Sequence, residues 1–194
     1  MSSGVAGILI VIVVAAAILG ARAWVDDALR RRARALWVES CEHTGLSLAD
    51  ADSHSLPRAQ GVVDGRPVEA WVDELRTRGI TQQFLRVRVG LGSVPEMYLR
   101  RRAPEPDTNT WHDVQTGDPR FDEAVRVSAP ATAPVRAWLS EARRRALLDL
   151  NAAQETWAVG DGVLGLSQRG LTPTPQAWRE QLATLTRAAS ELAS

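Results

Sequence analysis

Leu85-Arg86-Val87-Arg88-Val89-Gly90-Leu91 alternates apolar and polar positions without a break. Successive side chains of a strand point to opposite faces, so this period of two predicts a half-buried strand. Upstream, Val68, Ala70 and Val72 alternate in the same way with Glu69, Trp71 and Asp73. Before them, Val62-Val63-Asp64-Gly65-Arg66 contains an Asp-Gly pair, which suits the positive φ angles of a type I′ hairpin turn. Pro67 lacks a backbone donor, so its strand should begin there or lie at an edge. Downstream, Met97-Tyr98-Leu99 offers a short strand, residues 103–110 a polar Pro-bearing loop, and Phe121, Val125 and Val127 a further strand. Pro134 is placed to open a helix with Val135, Trp138, Leu139, Ala142, Ala146 and Leu150 on one face. A second hairpin turns at Gly160-Asp161-Gly162, between Trp157–Val159 and Val163–Leu166. Thr174 as N-cap and Pro175 at the first helical position then start a last helix, with Trp178, Leu182, Leu185, Ala189 and Leu192 in one stripe. Strands joined by short turns, with helices grouped elsewhere, predict an α+β fold: an antiparallel sheet packed with two C-terminal helices over residues 45–194.

The N-terminus has a different character. Residues 5–21, VAGILIVIVVAAAILGA, are uncharged and mainly apolar, and as a helix they reach roughly 25 Å. Extension through Trp24 and Val25, with Arg22 snorkelling to the interface, brings the run to the thickness of a bilayer core. Residues 1–25 therefore read as a transmembrane anchor. A cleaved signal peptide is the rival, because Ala21-Arg22-Ala23 has the A-x-A form, but Met-Ser-Ser-Gly lacks a positive start. Arg22, Arg30, Arg31, Arg32 and Arg34 all follow the apolar run, so the positive-inside rule places the rest of the chain in the cytoplasm. Leu29, Ala33, Leu36, Trp37 and Cys41 continue at helical spacing toward Gly45, which predicts a juxtamembrane helix over 26–44. Arg22, Trp24, Arg30, Arg31, Arg32 and Arg34 are the expected contacts with the membrane surface, including anionic headgroups.

Composition narrows the function further. The 194 residues carry 23 basic side chains, all Arg, and 23 acidic ones. Residues 35–194 hold 18 Arg against 21 carboxylates, a net of −3, which argues against a nucleic-acid partner. A single cysteine, Cys41, excludes an internal disulfide. No Walker A, G-x-S-x-G, G-x-G-x-x-G or H-E-x-x-H pattern occurs, and His43, His54 and His112 show no metal-ligand spacing. Cys41 and His43 stand two apart and point to different helix faces, so Cys41 reads as a buried small residue. Two further Arg triplets, 100–102 and 143–145, read as solvated faces or, if they share one side, as additional membrane contacts.

Asp113-Val114-Gln115-Thr116-Gly117-Asp118-Pro119-Arg120-Phe121-Asp122 stands out as a motif. It resembles the TGD-x-x-FD signature of uncharacterised bacterial single-pass membrane proteins, in which a helix, a hairpin with an acidic-Gly turn and a final helix follow. That resemblance implies architecture for about residues 83–193 and brings no activity, cofactor or substrate. Physically the motif is a turn: Gly117 can take positive φ, Asp118-Pro119 forms turns, Phe121 is a buried anchor and Asp122 can accept from backbone donors. The functional rival is a carboxylate cluster of His112, Asp113, Asp118 and Asp122, although no calcium-loop spacing is present. No catalytic, cofactor-binding or metal-ligating residue is assigned. The sequence predicts a membrane-anchored, non-catalytic interaction or scaffold domain with an unknown protein partner. The alternative is an enzyme or small-ligand module, which a pocket joining His112 to Asp118 or Cys41 would favour.

Overall fold

In a computed structural model of the chain, nine strands form one sheet among the described residues, and every pair of neighbours runs antiparallel. The structure describes residues 21, 24–25, 27–28, 31–32, 34–42, 44–49, 56–77, 80–103, 111–170 and 174–194. In chain order the strands are β1 (Leu46–Leu48), β2 (Arg58–Val63), β3 (Arg66–Thr77), β4 (Ile80–Gly90), β5 (Tyr98–Arg101), β6 (His112–Asp113), β7 (Val125–Ala129), β8 (Trp157–Gly160) and β9 (Val163–Arg169). Their spatial order is β1-β2-β3-β4-β9-β8-β5-β7-β6. The first four strands form a meander, and β9 adds the C-terminal half to it by pairing with β4 from Phe84↔Arg169 to Gly90↔Val163. Both Asp-Gly turns adopt the positive φ values that their hairpins require, at Asp64-Gly65 (51° and 76°) and Asp161-Gly162 (51° and 72°). Pro67 sits at the start of β3, as its missing donor demands.

One face of the sheet is covered. Val68, Val89, Leu164, Val159, Leu99 and Val127 lie in register across six strands, and all are buried. The cover includes the helical residues 34–42, here α1, which follow further described helical residues at 21, 24–25, 27–28 and 31–32, together with α4 (Glu141–Ala153) and α5 (Pro175–Ala193). Thr174 caps α5 by accepting from Ala177 N, and Trp178, Leu182, Leu185, Ala189 and Leu192 are buried beneath it. Trp178 packs against Trp37 of α1 with ring centroids 5.9 Å apart. Two polar contacts fix α5 across the sheet: Thr186 Oγ1 donates to Asp64 in the β2–β3 turn (2.8 Å), and Gln181 donates to Gln168 of β9 (2.9 Å).

Two elements depart from expectation. Phe121 lies in a short helix, α2 (Pro119–Ala124), and the strand begins only at Val125. Asp118 and Pro119 supply a helix N-cap and first position, a local signal that outweighs the apolar spacing of Phe121 with Val125. The helix expected from Pro134 to Leu150 is broken into α3 (Thr132–Trp138) and α4. Leu139 leaves helical geometry, and Ser140 caps the new start by accepting from Arg143 N. Ala142 is consequently exposed, while Ala146, Leu147 and Leu150 are buried. Among the described residues no helix is long and apolar enough to cross a membrane. Residues 5–20, which carry the expected anchor, lie outside the described residues, as do Arg22 and Arg30.

The close approach of β1 to β2 depends on Gly61, where a Cβ would collide with the Gly45 carbonyl oxygen. Gly61→Ala is therefore expected to destabilise the fold by roughly 1–3 kcal/mol, as overpacking against backbone does. Gly165→Ala, whose Cβ would meet only ordinary contacts at 3.7 Å and beyond, is expected to cost far less. Urea denaturation of the two variants checks the order.

Candidate interaction surface

Among the described residues, the second face of the sheet is uncovered over β4, β9, β8 and β5. Because side chains alternate, the residues between the buried ones form their own cross-strand row: Glu69, Arg88, Gly165, Ala158, Arg100 and Arg126. The neighbouring row runs Trp71, Arg86 and Ser167. Large cationic side chains thus stand on β4 and β5, while β9 and β8 between them carry Val163, Gly165, Ser167, Ala158 and Gly160. The result is a trough of about 1030 Å³. Its cationic side chains are Arg86, Arg88, Arg100 and Arg102, with Asp73, Glu155 and Asp161 as the carboxylates.

The walls are held in place by stacking and ion pairs. The Arg88 guanidinium lies 4.9 Å from the Trp71 ring centroid, and that of Arg86 lies 5.7 Å from Phe84. Arg86 also stands 3.6 Å from Asp73, an exposed pair that contributes little stability. Arg102 pairs with Asp113 at 3.7 Å. Tyr98 closes one end over Gly160, where a Cβ would come within 3.1 Å of its ring. Among the described residues no side chain would come within 4 Å of a Cβ at Gly165, so the middle of the floor is bare.

The TGD-x-x-FD segment is a different kind of site. The Asp122 carboxylate accepts from Thr116 N (3.0 and 3.1 Å), Thr116 Oγ1 (2.8 Å) and Gly117 N (3.1 Å). Gly117 sits at φ 86°, a conformation that favours glycine. Asp118 caps α2 by accepting from Phe121 N (3.2 Å) and faces Arg144 at 3.4 Å. Phe121 is completely buried. The acidic side chains near His112 are thus separately engaged: Asp113 with Arg102, Asp118 with Arg144, Asp122 with the loop. Among the described residues no group of three or more His, Cys, Asp or Glu side chains could hold a metal ion.

No family model matches the sequence, and no curated protein does. The fold is similar to that in the crystal structure of the mycobacterial trehalose monomycolate transport factor A, TtfA. The TM-score is 0.52 at 12% identity, over 84% of this chain and 94% of that one. The likeness extends to the fold.

The remaining candidates fall in separate places. Cys41 is buried in α1, and burial pushes its thiol pKa up, which suppresses the thiolate. His112 is exposed on β6, while His43 and His54 lie outside the described residues. Arg143 stacks on Trp138 at 4.7 Å and donates to its carbonyl, and Arg144 donates to the Leu139 carbonyl at 2.7 Å. Arg143 and Arg144 thus close the C-terminal end of α3, where cations and donors are favourable, while the exposed Arg145 pairs with Glu141 at 3.4 Å. Arg100 and Arg102 instead belong to the uncovered face, while Arg101, opposite Val125, alternates to the other side. Arg31 pairs with Asp27 at 2.7 Å, and Arg31, Arg32 and Trp24 are exposed, while Arg34 is half-buried.

The trough itself went unread in the sequence, although a signal was there. Ala158, Gly160, Gly165 and Ser167 occupy outward positions of the second hairpin, where a solvated strand would ordinarily carry long side chains.

The two motif aspartates should behave differently on neutralisation. Asp118→Asn preserves an N-cap acceptor and is expected to leave stability nearly unchanged, whereas Asp122→Asn turns an amide toward three donor groups and should cost about 1–3 kcal/mol. Phe121→Ala should cost about 3–5 kcal/mol. Denaturant melts of the three variants give the order, and an Asp118→Asn loss exceeding that of Asp122→Asn contradicts it.

Proposed function

We propose that this chain is a membrane-anchored, non-catalytic interaction domain whose uncovered sheet face receives a protein partner. The observation that carries this reading is the trough: a floor of mainly small residues, bare at Gly165, between arginines, on a sheet whose other face is committed to the core. The similarity to TtfA, named as a transport factor, is compatible with a non-catalytic role for this chain. The anchor is residues 5–25, with Arg22, Trp24, Arg30, Arg31, Arg32 and Arg34 at the headgroups of the bilayer, and the domain faces the cytoplasm. Support for both comes from the apolar run and from the five arginines that follow it, with none before. The resemblance to single-pass membrane proteins carrying TGD-x-x-FD points the same way. A small-ligand module would find volume enough in the trough, but ligand sites enclose most of their guest and this one lies open over Gly165.

The full-length protein is expected to resist carbonate extraction, and a version beginning at Leu36, which keeps the buried Trp37, to be recovered in the supernatant. A C-terminal reporter active only in the cytoplasm should be active, and activity of an export-dependent reporter inverts the orientation. In detergent extracts of native membranes, Gly165→Leu should shift the protein to a smaller assembly, while Arg179→Glu on the exposed side of α5 should not. Equal assembly sizes for wild type and Gly165→Leu would sink the proposed use of this face.

A further inference from the structure

We infer that the trough takes an acidic α-helix of a partner protein, laid between β4 and β5; this rests on the uncovered face being the interaction surface. Charge is the first argument. Residues 35–194 are net acidic, yet the trough gathers Arg86, Arg88, Arg100 and Arg102; Arg86 and Arg102 already face Asp73 and Asp113, so Arg88 on β4 and Arg100 on β5 carry the two facing walls. The planar guanidinium fork suits paired hydrogen bonds to carboxylates, so two facing arginine walls select a guest with acidic groups on both flanks.

Width is the second argument. Three inter-strand steps separate β4 from β5, which at about 4.8 Å each makes roughly 14 Å between the wall strands. A helix with side chains is about 10–12 Å across, and Gly165 and Ala158 let it approach the floor closely.

Backbone chemistry is the third. An extended peptide binds a sheet by adding to a free edge, because its own donors and acceptors need partners. Here the ladders β4–β9, β9–β8 and β8–β5 are internal to the sheet, so a strand lying over them finds no main-chain partners. A helix satisfies its own backbone and needs only side-chain contacts. The recessed floor likewise suits a narrow guest better than a flat bilayer surface.

The test uses the full-length protein in detergent and a fluorescent, hydrocarbon-stapled Ala/Glu helix of about 18 residues, roughly five turns, with Glu on two flanks. The expected result is saturable binding that weakens with salt and falls about tenfold or more in Gly165→Leu, which fills the floor, and in Arg88→Glu, which inverts a wall. The Gln-for-Glu version of the peptide should not bind. Thermal melts confirm that each variant is folded, and the two variants act by independent means. Binding that is unchanged in folded Gly165→Leu overturns the proposal, since charge alone would then be responsible. Absence of peptide binding, with phosphatidylglycerol vesicles bound through Arg88 instead, overturns it in favour of lipid. If the peptide fails while Gly165→Leu still shrinks the native assembly, the helical guest is wrong and the interaction face stands. If Gly165→Leu changes neither, both are wrong.

Discussion

The pairing of β4 with β9 is the contact on which the rest of the molecule depends. Strands β1 to β4 form a local meander, and β5 to β9 with their helices form the remainder, so this ladder makes one sheet out of two segments. It aligns Val87 with Leu166 and Val89 with Leu164 on the covered side, and Arg86 with Ser167 and Arg88 with Gly165 on the other. A slip of one residue would drive both arginines into the core, where unpaired charge is severely penalised. Register is therefore fixed by burial, and the trough is fixed along with it. Helix α5 reinforces the junction through its bonds to Asp64 on one side and Gln168 on the other.

Much of this fold was legible because its signals are local. The alternation in Leu85–Leu91, both Asp-Gly turns, and the Thr174-Pro175 start of α5 are each set by residues within one or two turns of chain. Short-range competition defeated the reading elsewhere. Phe121 has strand-like spacing with Val125, but Asp118 and Pro119 start a helix first, and Ser140 interrupts an apolar stripe that otherwise reads as one helix. Sequence order also conceals partners: Arg88, Gly165, Ala158 and Arg100 meet only because of the β4-β9-β8-β5 order, which no local pattern encodes.

The same distinction governs the functional reading. The TGD-x-x-FD segment is conspicuous in sequence, yet its groups are consumed in building a loop and capping α2. Asp122 is saturated by Thr116 and Gly117, and Asp118 is shared between the Phe121 amide and Arg144. The uncovered face is inconspicuous in sequence, because glycine, alanine and serine at outward positions draw no notice singly. Its chemistry arises from what the arrangement leaves out between two cationic walls.

One covered face and one open face is the claim that everything else rests on, and adjacent cysteines test it directly. Val87→Cys and Arg88→Cys place thiols one residue apart on opposite sides of β4, while the native Cys41, buried with its thiol pKa raised, serves as a silent internal reference. In the folded full-length protein, maleimide should modify Arg88→Cys at close to the rate of an unhindered thiol, and Val87→Cys only after unfolding. Protection of both positions would mean that a second layer covers the trough, and rapid modification of Val87→Cys would mean that the helices do not close the other face; either result contradicts this account.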